Sequence, residues 1–226
     1  MLVARRDRDE ALTAERLDGR RIQEGPPRRV SSTYEALEDV DVCLVTVKSS
    51  ATPVVARALA SALRQDATVL SLQNGLSNAA TLEASLGKRV AAGVVGYNVF
   101  VDEAGTRVQS TRGGLYFGAL EGVHAGRLRA LASALRAAGD RVEIRRDIDA
   151  VAHGKLLMNL NNGVCAATGL GIRASLEDAD ARWAFAQCIR EGLQVLRALG
   201  RPVARLTVVP PNLFASALLL PSPLVV

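Results

Sequence analysis

Val42-Cys43-Leu44-Val45-Thr46-Val47 decides the fold class. The run is short, β-branched and almost wholly apolar, with no alternation. That composition suits a strand buried on both faces of a parallel sheet. Ala67-Thr-Val-Leu-Ser-Leu72 is a second such run, and Arg89-Val-Ala-Ala-Gly-Val-Val95 a third. Between them, Pro53–Leu63 and Ala79–Leu86 have helical spacing. Thr52 is the expected cap of the first helix, with Pro53 in its first turn. Strands alternating with helices imply βαβ units and an α/β fold with an open parallel sheet.

Beyond residue 95 the pattern changes. Arg107–Ser110, Leu115–Phe117 and Val142–Ile144 are short strand candidates separated by Gly-containing turns. Ala125–Ala138 reads as an amphipathic helix with Leu128, Leu131, Leu135 and Ala138 on one face, ended by Gly139-Asp140. After Arg146 no strand signal remains. Ile148–Ala167 and Ala181–Leu199 read as two long helices, the first capped by Asp147 or Asp149, the second by Asp180 and closed by Gly200. The expected division is therefore a sheet domain over 1–146 and an all-helical domain over 147–226.

The bulk properties narrow the function classes. The 226 residues are 49% hydrophobic and 23% charged, which excludes general disorder. Lys+Arg (28) barely exceeds Asp+Glu (23), and aromatics are 4%, too few for the stacking that nucleic-acid binders use. A small anionic ligand fits the net charge of +5 better. Cys43, Cys165 and Cys188 are odd in number and far apart, which argues against a disulfide scaffold or zinc site and fits a reducing cytoplasm. Two histidines, His124 and His153, are too few for most metal sites, so no metal is expected. Arg5–Glu10 is charged where a signal peptide would need an apolar core. Leu206–Val226 is uncharged, but Pro210, Pro211, Pro221 and Pro223 interrupt it. It reads as a buried or partner-covered segment rather than a membrane span.

Ligands of open parallel sheets bind beyond the carboxyl ends of the strands. Lys48 follows the strand at Val42–Val47, and Gln73-Asn74-Gly75 follows the strand at Ala67–Leu72. An ammonium and a carboxamide thus share one edge; the plainer readings are a solvated helix start and an N-G turn. In Lys155-Leu-Leu-Met-Asn159-Leu-Asn161-Asn162, Lys155 and Asn159 are i, i+4 on a helix, and Asn162 lies near the same face. Lysine with amide neighbours can protonate a carbonyl while the amides orient the substrate; a structural polar stripe is the alternative. Gly169-Leu-Gly171-Ile-Arg-Ala174 matches G-x-G-x-x-A, but it follows a helix, not a strand, so it is not read as a dinucleotide site.

These stretches resemble the ketopantoate reductase family (2-dehydropantoate 2-reductase). The likeness rests on Val45–Lys48, Leu72-Gln-Asn-Gly-Leu76, Gly154–Asn162 and the helix Ile189–Gly200, in that order and spacing. The resemblance implies a Rossmann-type NADP-binding domain joined to an all-helical substrate or dimerisation domain. It implies reduction of a small 2-keto acid, ketopantoate, to pantoate with NADPH, toward pantothenate and coenzyme A. By this analogy Lys155 is the general acid and Asn159 is a catalytic, substrate-holding group. Lys48 and Asn74 line the nicotinamide and substrate end. Arg5, after Leu2-Val3-Ala4, meets the 2′-phosphate that distinguishes NADP.

The sequence departs from the family pattern in several places. Family members often carry an Asn one turn after Asn159; Gly163 stands there, with Asn162 one residue early, which leaves room for a different 2-keto acid. The first Rossmann strand, its Gly-rich turn and first helix, and the final helices find no counterpart. The expectation is a fragment or a wrongly started reading frame. A degenerate paralogue without turnover, or another two-domain dehydrogenase of hydroxyacid or opine type, are the other readings. A homodimer interface would also account for the apolar run at the end.

Overall fold

The structure is a computed structural model that describes residues 2–3, 12–24, 30–31, 33–34, 37–206 and 209–220. It divides into two units, Met1–Arg146 and Asp147–Val226. The strands of the first unit are β1 (Leu2–Val3), β2 (Leu12–Glu15), β3 (Arg21–Glu24), β4 (Val30–Ser31), β5 (Val42–Val45), β6 (Thr68–Ser71), β7 (Val90–Val95), β8 (Val99–Val101), β9 (Arg107–Gln109), β10 (Leu115–Gly118) and β11 (Val142–Arg145). Its helices are α1 (Thr52–Ala62), α2 (Asn78–Leu86) and α3 (Gly122–Ala137).

The main sheet has the order β11-β10-β7-β6-β5. β5, β6 and β7 run parallel, with Val42 beside Thr68 and Leu70 beside Ala91. β10 is antiparallel to β7 and parallel to β11. All four residues of β6 are buried. Val69 packs with Leu59 and Leu82 of α1 and α2, while Leu70 packs with Phe117 and Leu128, the latter on α3. Successive side chains thus enter different cores, which is why the strand reads as continuously apolar. Each such burial is worth about 1.5–3 kcal/mol. At the other end of the order, no strand among the described residues pairs with the outer edge of β5. A 520 Å³ cavity there is lined by Leu37, Val42, Cys43, Leu44 and Leu59, among others.

A second sheet, β3-β2-β9-β8, includes an unanticipated hairpin. β2 and β3 pair antiparallel through a turn in which Gly19 has φ 78°. Arg16, at the start of that turn, donates to the carbonyls of Gly139 (2.6 Å) and Ala138 (3.1 Å) and pairs with Asp140 (2.8 Å). It thereby satisfies open carbonyls at the end of α3, where the helix dipole favours a cation. The small sheet β1–β4 is parallel.

Thr52 does not cap α1. Ala51 holds the N-cap position after a 3₁₀ turn at Ser49–Ala51, and the Thr52 hydroxyl is committed to Asn78.

The second unit holds α4 (Ile148–Asn159), α5 (Asn161–Thr168), α6 (Ile172–Glu177), α7 (Ala179–Ala198) and α8 (Pro211–Ala217), with no strand among the described residues. Its core joins Val164, Phe185, Ile189, Ala215 and Leu218, and Phe214 meets Phe185 edge-on at 6.1 Å. Arg182 is buried and donates to the carbonyls of Leu176, Glu177 and Leu218, which ties α7 to the end of α6 and to the residue after α8.

Three local expectations change here. The segment Ile148–Ala167 is two helices, because the chain tightens at Leu160, where Leu160 N–H bonds Leu157 O and Gly163 N–H bonds Leu160 O. Three poor helix formers, Asn161, Asn162 and Gly163, follow that point. The cap of α7 is Asp178, which accepts from Ala181 N–H at 2.8 Å, rather than Asp180. The cap expected for the first helix from Asp147 or Asp149 is also unmet: Asp147 stands at the N-cap without a side-chain cap bond, and Asp149 lies in the first turn. Gly169 ends α5 in the left-handed region and Gly171 precedes α6, so the G-x-G-x-x-A segment is a helix–turn–helix connection. Part of the uncharged run forms α8, and no helix among the described residues is long and apolar enough to cross a membrane.

Candidate active site

In the first unit, the ends of β5 and β6 carry the polar groups. Lys48 is exposed and extended just before the 3₁₀ turn. Asn74 is exposed between β6 and α2. Their loops are joined: the Asn74 carbonyl accepts from Ser49 Oγ (3.2 Å) and from Asn78 Nδ2 (2.8 Å). Gln73 Nε2 donates to Val47 O (2.9 Å) and to Thr52 Oγ1 (2.8 Å). Gly75 has φ 104°, a conformation that side chains resist. The structure thus brings Lys48 and Asn74 onto two tied loops at one sheet edge. Arg5 lies outside the described residues.

In the second unit, Lys155 and Asn159 share one face of α4, both half-buried. Burial holds the Lys155 ammonium below the ordinary lysine value of 10.5, because the charged form loses water. The turn before Lys155 is packed against the chain near Ala204. Ala204 N–H donates to Ala150 O (2.8 Å), and His153 Nδ1, facing the carbonyl of Pro202 at 2.7 Å, is the donor there. A Cβ on Gly154 would collide with the Ala204 carbonyl oxygen. Asn162 is exposed on α5, whereas Asn161 is buried and donates to Ser175 Oγ (3.1 Å). Of the polar stripe, Asn162 is exposed, Lys155 and Asn159 are half-buried, and Asn161 turns inward. A lysine with a weakened hold on its proton is a stronger acid, and carboxamides can grip a carbonyl or hydroxyl.

Sequence reasoning missed Ser49, Thr52 and Asn78 as parts of this edge. The signal for Asn78 was its i+4 spacing from Asn74; nothing local pointed from Thr52 to a partner 26 residues away.

A family model described as ketopantoate reductase PanE/ApbA matches residues 1–122. A 2-dehydropantoate 2-reductase of Archaeoglobus fulgidus is 31% identical over 164 residues, 72% of this chain and 55% of that protein. The crystal structure of a PanE/ApbA family ketopantoate reductase from Ralstonia eutropha JMP134 has a TM-score of 0.70 at 30% identity, over 86% of this chain and 63% of its own. At 18% identity, the ternary structure of D-mandelate dehydrogenase with NADH and anilino(oxo)acetate shares the fold, with a TM-score of 0.69 over 85% of this chain and 62% of its own. This chain spans about half the length of the Archaeoglobus protein.

Proposed function

The chain belongs to the ketopantoate reductase family, whose model covers more than half of it, and on that premise we propose that it reduces 2-dehydropantoate to pantoate with NADPH, in pantothenate and coenzyme A biosynthesis in the cytoplasm. The observation that carries this reading is the pair Lys155 and Asn159 on one face of α4, with the lysine's proton affinity lowered by burial.

The donor set fits a nicotinamide cofactor at the parallel-strand edge. Lys48 offers an ammonium to an anionic group, and Asn74 offers both a donor and an acceptor to a carboxamide or ribose. NADPH, when bound, supplies the hydride that reduces the keto carbon. Asn159 and Asn162 hold the carbonyl and hydroxyl groups of the substrate. Lys155 transfers a proton from Nζ to the carbonyl oxygen as it becomes a hydroxyl, and regains one from solvent. Arg5 is the proposed contact to the cofactor's 2′-phosphate.

A second reading, a reductase for a different 2-keto acid, is favoured by Gly163. It is exposed on α5 and stands where family members often carry an Asn, so one polar contact to the substrate would be missing. The test is oxidation of NADPH and, in parallel, NADH with ketopantoate and a panel of 2-keto acids. Turnover with ketopantoate and its loss in Lys155→Ala support the first reading. Preference for a different 2-keto acid supports the second. Near-normal turnover in Lys155→Ala overturns the acid assignment, and no turnover with any acid leaves a binding protein without catalysis.

A further inference from the structure

We propose that Asn78 and Thr52 are positioning residues, which set Asn74 and Lys48 through a one-way relay of hydrogen bonds. The proposal rests on the reading above, in which Asn74 and Lys48 face the cofactor and substrate.

The direction of the relay follows from proton counting. Thr52 has one hydroxyl proton, and its oxygen already accepts from Gln73 Nε2 at 2.8 Å. The proton therefore goes to Asn78 Oδ1 at 2.9 Å. That fixes the Asn78 amide, whose Nδ2 then reaches Ser49 Oγ at 3.0 Å and the Asn74 carbonyl at 2.8 Å. Ser49, having accepted, gives its own proton to the same carbonyl at 3.2 Å. At the start of the chain, Ser71 Oγ donates to Gln73 Oε1 at 3.0 Å, which turns Gln73 Nε2 toward Val47 O and Thr52. Apart from the side branch from Gln73 to Val47 O, every donation runs from Ser71 toward Asn74. Reversing either amide would set donor against donor or acceptor against acceptor.

Burial makes this order binding. Thr52 is 1% exposed, Ser71 3% and Asn78 4%, so water cannot replace a lost partner cheaply. Two donors hold the peptide that joins Asn74 to Gly75, and with it the direction in which the Asn74 carboxamide leaves the loop. Lys48 is bracketed as well: the residue before it gives its carbonyl to Gln73, and the residue after it accepts from Asn78. Thr52 and Asn78 are the first residues of α1 and α2, so both loops are referenced to the two helices.

The test compares Asn78→Asp, Thr52→Val and Thr52→Ser in the full chain. Asn78→Asp keeps the shape and the acceptor for Thr52 but turns an acceptor toward the Asn74 carbonyl. Thr52→Val keeps the shape and removes the hydroxyl. Both should lower kcat/KM for 2-keto acid reduction at least tenfold, with KM for the cofactor rising more than kcat falls. Thr52→Ser should restore most of the loss. Independently of turnover, deuterium exchange at the Ala51 amide, which donates to Lys48 O at 2.8 Å in the tied loop, should quicken at least tenfold in both variants while α3 stays protected. Unchanged exchange in the loop overturns the proposal, as does equal acceleration throughout the unit, which marks a merely structural role. A loosened loop with unaltered kinetics also overturns it. If the unsubstituted chain reduces no 2-keto acid, the proposed function fails, and the exchange result alone decides the relay.

Discussion

Gly154 lies against the backbone carbonyl of Ala204 so closely that any Cβ would overlap the oxygen. The contact sits one residue before Lys155, and the nearby Ala204–Ala150 and His153–Pro202 bonds fix it. Gly154→Ala should therefore destabilise the protein by about 1–3 kcal/mol, the usual cost of overpacking. Gly163→Ala should be neutral or stabilise by up to about 1 kcal/mol, since its Cβ meets open space within a helix. Urea denaturation of the two variants beside the parent checks both signs.

The lowered proton affinity of Lys155 gives two pH dependences. As a general acid it must be protonated, so kcat/KM should fall on the alkaline side with an apparent pKa below 10.5, and Lys155→Arg should lose activity and that limb together. For stability, the unfolded lysine keeps its proton to higher pH than the folded one. The burial cost is present when the folded lysine is charged and disappears as pH rises through the window ending near 10.5. The stability of the parent relative to Lys155→Met should accordingly rise with pH across that window. Denaturation midpoints taken at stepped alkaline pH measure it.

Arg182 offers a different kind of test. Its guanidinium serves three backbone carbonyls from one buried point. Arg182→Met leaves those acceptors without their donor and should cost about 3 kcal/mol. Arg182→Lys should recover only part of that, because an ammonium lacks the planar fork. Amide exchange in α8 should quicken in both.

Cys43 stands at the other extreme of reactivity. Burial pushes its thiol up to about 11, against an ordinary value of 9.0. At pH 8 its thiolate population should be about 100-fold below that of a free cysteine, and alkylation correspondingly slow. Mass spectrometry of iodoacetamide-treated native protein should show residue 43 nearly unlabelled, with full labelling in denaturant. Native labelling at the rate of an unstructured cysteine peptide would refute this.

The parts that were legible in the sequence are those whose physics is local. β5, β6 and β7 announced themselves because a strand covered on both faces is apolar throughout. The β2–β3 hairpin did not, because Leu12–Glu15 and Arg21–Glu24 are only four residues each, of mixed polarity and without a continuous apolar run. Asp18-Gly19 between them was the available signal. Lys48 and Asn74 could be found from strand ends alone, but apart from the Asn78–Asn74 bond the hydrogen bonds that tie their two loops together link residues 21 to 29 positions apart. Periodicity could not separate buried Asn161 from exposed Asn162, because the tightening at Leu160 shifts the helical phase between Asn159 and both.

The Arg16 clamp has a consequence for how the chain is assembled. Its contacts to the end of α3 span 122 to 124 positions, and β2 pairs with β9 through Ala14 beside Arg107, far beyond the turn the hairpin itself closes. A two-stranded ribbon is marginal in water by itself, and its distant partners must first be synthesised. On the ribosome, then, residues 12–24 emerge well before the partners that seat them, and they wait until residue 140 has followed.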